Sequence, residues 1–215
     1  MKWTVAESEE NSQWINYKDL NENINLMGET KMNKNTKTRQ LTINAILLAI
    51  GAILHQITPA MGLPMQPDFS LIMLFIIMII NKNDYKTSII SGVITGIFTA
   101  LTTKFPGGQL PNVIDKVVSV NIVCLMIFII SKIKVINNLA DRKRGLTIAI
   151  IIFPIGTLVS GTVFLLSAQF IVGLPASFLA LFLTVVVPSI AINMVVGLFL
   201  YKVIDLSLKR VATCR

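Results

Sequence analysis

Long apolar runs alternate with short polar segments along most of the chain. A helix that crosses a bilayer needs about 20 mostly apolar residues. Six runs reach or approach that length, at residues 41–60, 65–81, 86–103, 114–131, 147–172 and 176–202. The pattern predicts an all-α membrane protein, a bundle of about six transmembrane helices.

Two features of these runs bear on how they fold. The apolar stretch of the second run extends only from Phe69 to Ile80. We expect it to span only if the proline-rich segment before it enters the membrane or the helix is buried in the bundle. The fifth and sixth runs contain Pro154 and Pro188, which membrane helices tolerate as kinks.

Charge supports the membrane assignment and predicts an orientation. Only 14% of the residues are charged, against about 25% in soluble domains. With the N-terminus inside, the inner segments beyond residue 31 hold 14 Lys and Arg residues, and the outer segments hold only Lys104 and Lys116. The positive-inside rule therefore predicts that the N- and C-termini of this multi-pass membrane protein are both cytoplasmic. The basic residues lie between apolar runs, so the net charge of +8 does not indicate nucleic-acid binding.

The first 31 residues differ from the rest of the chain. They contain six of the eleven acidic residues and no apolar core, a composition typical of disorder. Met32 begins a basic segment directly before the first apolar run. We predict a disordered or non-native extension at 1–31 and a single transmembrane domain at 32–215.

Polar residues collect at the outer end of the predicted bundle. A zwitterion needs partners of both signs, and this end offers Lys104 or Lys116 for a carboxylate and Asp68 or Asp115 for an ammonium group. The amide of Gln109 or Asn112 can accept a hydrogen bond from a ring N–H. The two glycines before Gln109 make this loop a candidate lid. The candidate substrate-binding residues are His55, Asp68, Thr99, Lys104, Phe105, Gly107, Gly108, Gln109, Asn112, Asp115 and Lys116. The alternative is a Pro/Gly turn, with Asp115 and Lys116 reaching the interface and His55 as a hydrogen-bonded packing residue.

Small residues form stripes on two predicted helices. In the first helix Ala45 and Ala49 lie one turn apart, and the third helix carries Ser88, Gly92 and Thr95 on one face. Small residues let helices approach closely. Both stripes are compatible with packing inside the bundle, and Ala45 and Ala49 are equally compatible with docking of a second membrane protein.

Several chemistries lack their motif in this chain. It contains no G-x-x-x-x-G-K-[ST], no H-E-x-x-H and no G-x-S-x-G, which mark ATP binding, zinc peptidases and serine hydrolases. We therefore expect no enzyme activity, no cofactor and no metal site. If transport is uphill, a partner supplies the energy.

One segment resembles a known family. Residues 105–116, FPGGQLPNVIDK, closely resemble the signature of the bacterial tryptophan transporter family. Further similar segments bring the resemblance to about residues 41–208: AIGAILH (49–55), QPD (66–68), ITGIFTALT (94–102) and VGLP (172–175). The resemblance implies a multi-pass protein of a bacterial plasma membrane that takes up tryptophan across the cell membrane, with substrate in the outer half of the bundle.

The family in turn is similar to the substrate-binding (S) components of energy-coupling factor transporters. Those six-helix proteins work with a transmembrane coupling subunit and two ATPases. This similarity implies that Ala45 and Ala49 form a docking motif for such a partner. The alternatives are a vitamin-specific S component and a non-transporting membrane assembly protein.

Overall fold

The computed structural model describes residues 37–58, 68–82 and 84–213. The predicted extension at 1–31 and the predicted start at Met32 lie outside these residues. The chain divides into two compact units, residues 1–43 and 44–215. Of the first, only the helical residues 37–43 are described, and the site described below lies within the second.

Every described secondary-structure element is helical. The helices are α1 (Lys37–Ile57), α2 (Phe69–Ile80), α3 (Tyr85–Thr102), α4 (Gln109–Lys132), α5 (Lys134–Asn137), α6 (Asp141–Ile171), α7 (Phe178–Leu181) and α8 (Val187–Thr213). A π-helical turn, Phe182–Val186, joins α7 to α8 in one continuous segment. Each of the six predicted runs contains a helix within its described residues, and the predicted all-α bundle is confirmed. Four segments are long and apolar enough to cross a membrane: α1, α4, α6 and α7–α8.

Helix α2 lies in the centre of the bundle. It has only 12 residues, and residues 70–79 are all buried. It packs against α3, α6 and α8, and the Asp68 carboxylate caps its start by accepting from the Leu71 backbone N–H at 3.1 Å. Burial inside the bundle thus explains how so short an apolar helix is accommodated.

The small-residue stripe of α3 packs against α4. Ser88, Gly92, Thr95 and Thr99 are all buried. A Cβ on Gly92 would meet Val120 Cγ2 at 2.5 Å, so the two helices approach more closely there than any larger residue allows. For α3 the packing interpretation of the stripe is confirmed.

Helix α1 turns its own small residues outward. Among the α1 residues that belong to the second unit, Asn44, Leu47 and His55 are buried. Ala45 and Ala49 are exposed. The packing interpretation is therefore wrong for the alanine pair. Docking by a partner remains a prediction.

The start of α4 differs from the prediction. It begins at Gln109, five residues before the predicted 114, because the Gly108 carbonyl accepts from both the backbone N–H and the side-chain amide of Asn112, at 3.0 and 2.8 Å. Pro111 falls in the first turn, where its missing N–H has no helical partner to lose. The loop is thus limited to residues 103–108, and the predicted lid is shorter than expected, since Asp115 lies on a helix.

The last segment adjusts its winding before Pro188. A proline in a helix lacks the N–H and presses its ring against the carbonyl four residues earlier. The π turn ends directly before α8, and the Val187 N–H donates to the Phe182 carbonyl. This wider turn sets the direction in which Val185 and Val186 face the bundle interior, where both are buried.

Replacing Gly92 with alanine is expected to lower the free energy of unfolding by about 1–3 kcal/mol, the usual cost of overpacking. The added Cβ cannot fit against Val120 unless α3 and α4 separate. Thermal unfolding of the detergent-solubilised protein measures the effect. The matched control Val93→Ile adds one carbon on the exposed side of the same helix and should leave the midpoint unchanged. Equal midpoints for the two variants would contradict the close α3–α4 contact.

Candidate functional site

A cavity lies at the end of the bundle that carries the 103–108 turn, here called the outer end. Its empty volume is about 620 Å³ when the open solvent at its mouth is included. Helices α1, α2, α4, α6 and α8 and the π turn all contribute to its lining. Seven predicted site residues meet there: His55, Asp68, Lys104, Phe105, Asn112, Asp115 and Lys116.

Four predicted residues do not line the cavity. The Thr99 hydroxyl donates to the carbonyls of its own helix at residues 95 and 96, and Gln109 is exposed. Gly107 has a φ of +70°, a conformation that favours glycine, and a Cβ on it would meet Val172 Cγ1 at 2.6 Å. Gly108 caps α4. The two glycines therefore shape the turn, and neither contributes to the cavity wall.

Three charged side chains form a buried cluster in the cavity. The Lys116 ammonium group lies 2.6 Å from the Asp68 carboxylate and is also ion-paired with Asp115. Lys116 and Asp115 are 2% and 1% exposed. The alternative in which these two side chains reach the interface is thus wrong. The two carboxylates offset the desolvation cost of the buried ammonium, which is several kcal/mol for an unpaired ion.

Hydroxyl groups from two helices complete the partners of Asp115. Ser119, one turn further along α4, donates to one carboxylate oxygen at 2.8 Å. Ser160 of α6 donates to the other oxygen at 2.9 Å. Asp68 also accepts a hydrogen bond from the Ser70 hydroxyl. Through Asp68, Asp115 and Ser160, the cluster joins α2, α4 and α6 at the cavity.

Two further polar groups lie closer to the cavity mouth. The Lys104 ammonium group donates to the Thr58 carbonyl at the end of α1. His55 Nδ1 lies 2.7 Å from Thr102 Oγ1, and because the Thr102 hydroxyl donates to the Phe98 carbonyl, the imidazole is the donor in this pair. His55 is thus hydrogen-bonded, as expected for a packing residue, and it also faces the cavity. Among the described residues, no group of three metal-binding side chains occurs.

An apolar wall faces these polar groups. Phe105 and Phe164 meet edge to face with ring centroids 5.5 Å apart. They belong to a buried cluster with Val185 and Val186 of the π turn. A Cβ on Gly161 would meet Val186 Cγ1 at 2.7 Å, so this glycine lets the π turn approach α6. The cavity is therefore lined both by charged groups and by an aromatic and aliphatic surface.

Sequence reasoning missed the contributions of α6 and α8. Thr157, Ser160 and Phe164 line the cavity from α6, and Ser189 and Asn193 line it from α8. A weak signal was present, since these polar residues interrupt long apolar runs at helical spacings of three and four. Helical spacing gives their face, but it does not reveal which other helix that face meets.

Comparison with known proteins identifies the family. The family described as "Tryptophan transporter TrpP" matches residues 37–209. The chain belongs to this tryptophan transporter family. Membership confirms the predicted resemblance and the expectation of a transporter rather than an enzyme.

Curated relatives in this family resemble the chain over most of their length. A protein of Clostridium perfringens is 58% identical over 83% of this chain and 98% of its own. Proteins of Clostridium acetobutylicum and Bacillus subtilis are 45% and 41% identical over 80% and 81% of this chain and 94% and 95% of their own. All three are named "Probable tryptophan transport protein". No solved structure matches the chain. Membership of the tryptophan transporter family, together with the apolar helices, identifies a multi-pass protein of a bacterial plasma membrane.

Replacing Lys116 with methionine is expected to lower the free energy of unfolding by about 3–5 kcal/mol, because it leaves two buried carboxylates without their cation. Denaturant unfolding in detergent measures the loss. The control is Lys209→Met, which removes an ion pair with Asp205 whose lysine is 48% exposed, and it should cost less than about 1 kcal/mol. A similar small cost for both variants would show that the Lys116 pairs do not stabilise the fold.

Proposed function

We propose that this protein takes up tryptophan across the cell membrane and binds it in the outer cavity. Membership of the tryptophan transporter family and the names of the three relatives support the substrate. The observation that carries the choice of site is the cavity itself, which combines charges of both signs with an aromatic and aliphatic wall. An amino acid with a large apolar side chain needs this combination.

The charges of the cavity fit the two ends of a zwitterion. Asp68 and Asp115 are two carboxylates against the single ammonium of Lys116, so the cluster carries an excess negative charge when both carboxylates are ionised. The substrate ammonium group is attracted to this cluster. Lys104, nearer the mouth, supplies a second cation for the substrate carboxylate, and a charge-assisted hydrogen bond of this kind contributes about 1.5–3 kcal/mol.

The apolar wall fits the aromatic part of the substrate. Edge-to-face and offset ring contacts contribute about 0.5–1.5 kcal/mol beyond the area they bury. Phe105 and Phe164 already form such a pair, and Val185 and Val186 extend the same surface. An indole ring resting there is removed from water while the charged end of the substrate stays with the polar cluster.

Tryptophan is expected to bind the purified protein and to raise its unfolding midpoint, since a ligand that binds only the folded state stabilises it. Lys104→Met should weaken the affinity about ten- to hundredfold, which corresponds to one lost charge-assisted hydrogen bond. Isothermal titration calorimetry in detergent measures both affinities. The control Lys132→Met removes a cation that lies over the Phe128 ring on the last turn of α4, far along the helix from the cavity, and should leave the affinity unchanged.

The same assay separates the rival functions. Stabilisation by a vitamin in place of tryptophan would favour a vitamin-specific S component. A flat response to tryptophan, other amino acids and vitamins alike would favour a non-transporting assembly protein. Either result would overturn the proposal of tryptophan uptake.

We further propose that α1 docks a transmembrane coupling subunit that works with ATPases. The chain carries no ATP-binding motif of the Walker type, so uphill transport requires an external source of energy. Ala45 and Ala49 are exposed one turn apart on α1, and small residues at this spacing allow a partner helix to approach closely.

Replacing both Ala45 and Ala49 with leucine is expected to lower tryptophan uptake by cells on the order of tenfold, the equivalent of about 1–2 kcal/mol of lost helix association. Tryptophan affinity of the purified variant should stay unchanged, because neither residue lines the cavity. The matched control is Ala191→Leu, an exposed alanine of α8, which should leave uptake intact. Unchanged uptake by the α1 variant would contradict the docking proposal, whatever the result for binding.

A further inference from the structure

Asn193 of α8 presents an unpaired acceptor at the cavity. The residue is 1% exposed and lines the cavity. Its side-chain Nδ2 donates to the Thr157 hydroxyl of α6 at 3.2 Å. Within the described part of the chain, no donor reaches its Oδ1 atom.

A buried hydrogen-bond acceptor without a donor destabilises the folded protein unless another molecule supplies the donor. Nearly all buried polar side chains in proteins have a hydrogen-bond partner, and leaving one unpaired costs about 1–3 kcal/mol. Asn193 lies in an apolar stretch of α8, where an aliphatic residue would carry no such cost. Its unpaired oxygen is therefore available to a donor that enters the cavity.

We infer that Asn193 Oδ1 accepts a hydrogen bond from the indole N–H of tryptophan. This inference rests on the proposed function. Tryptophan carries two kinds of donor, the ammonium group and the indole N–H. The carboxylates of Asp68 and Asp115 attract the ammonium group more strongly than a neutral amide does, which leaves the indole N–H, a donor only, for the amide oxygen.

The position of the amide fits this division. Thr157, which holds the Asn193 amide, precedes Ser160 on α6 by three residues, and Ser160 donates to Asp115. At 1.5 Å per residue, the two hydroxyls are about 4.5 Å apart along the helix axis. Phe164 follows on the same face and also lines the cavity. Along this face of α6 the charged cluster, at Ser160, lies between the amide, at Thr157, and the aromatic wall, at Phe164. A substrate held at the cluster by its ammonium group is therefore about one helical turn from the amide, within reach of its indole N–H.

The Asn193 amide would favour tryptophan over phenylalanine. A phenylalanine side chain has no donor and would leave Oδ1 unpaired in a buried place. Sites built to hydrogen-bond a substrate group discriminate strongly against analogues that lack it, because their own polar groups remain unsatisfied. Of the two amides that the sequence offered for this role, Gln109 is exposed and does not line the cavity, and Asn112 Nδ2 donates to the Gly108 carbonyl at the start of α4. Among the described residues that line the cavity, Asn193 Oδ1 is the buried side-chain atom without a partner.

The test compares tryptophan with its benzothiophene analogue, in which sulfur replaces the indole N–H and the ring shape is kept. Titration calorimetry on the full chain in detergent gives both affinities. We expect the wild-type protein to bind tryptophan about tenfold or more tightly than the analogue. In Asn193→Leu, tryptophan affinity should fall by about the same factor while analogue affinity stays constant. The control Asn121→Leu alters an exposed amide of α4 and should preserve the wild-type preference.

Each outcome has a defined meaning. Equal binding of the two ligands by the wild-type protein would overturn the inference without any need for the variant to fold. A parallel loss of both ligands in Asn193→Leu would also overturn it, because the amide would then contact a group that both ligands share. If the wild-type protein binds neither ligand, the proposed function fails and the inference fails with it. Loss of preference confined to the Asn193 variant would support the inference.

Discussion

The buried ammonium group of Lys116 is the interaction on which the rest of the bundle depends. An unpaired cation at this depth costs several kcal/mol, and the cost is offset only if carboxylates arrive from two places. Asp115 is its neighbour on α4, and Asp68 comes from the start of α2. The pairing therefore fixes where α2 begins relative to α4, at the outer end of the bundle where the cavity lies.

The same requirement explains the packing around the cluster. Helix α4 can bring Lys116 inward only if α3 lies close against it, which the glycines of α3 allow: a Cβ on Gly96 would meet Lys116 Cβ at 3.3 Å. On the opposite side, Gly161 lets the π turn approach α6. At these two contacts, glycine lets α3 approach α4 and lets the π turn approach α6. The space that remains between the helices is the cavity.

The sequence predicted the helices better than it predicted their meeting points. Hydropathy identifies all six helical runs because a membrane helix must be apolar along about 20 residues, and the segment FPGGQLPNVIDK marked the outer end of the bundle. The start of α4 was missed because Gln109, Pro111 and Asn112 interrupt the apolar pattern there, a composition shared by loops and first helical turns. The burial of Lys116 was missed because its partner Asp68 lies 48 residues earlier. Asn193 and Thr157 were missed for the same reason: each is one polar residue in an apolar run, and only the meeting of α6 with α8 gives them a common role.

Helix α1 connects the substrate cavity with the proposed source of energy. One side of the helix carries His55, which faces the cavity and bonds Thr102 of α3. Another side exposes Ala45 and Ala49, three and two helical turns from His55. A partner that shifts α1 through its exposed side would also shift His55 and, through the Thr58 carbonyl, the contact that holds Lys104. No further element is needed to transmit such a shift, because Ala45 and Ala49, which would contact the partner, belong to the same helix as His55, which lines the cavity. In the proposed arrangement, mutation of the exposed alanines would alter energy coupling without altering binding, although one helix joins the two sites.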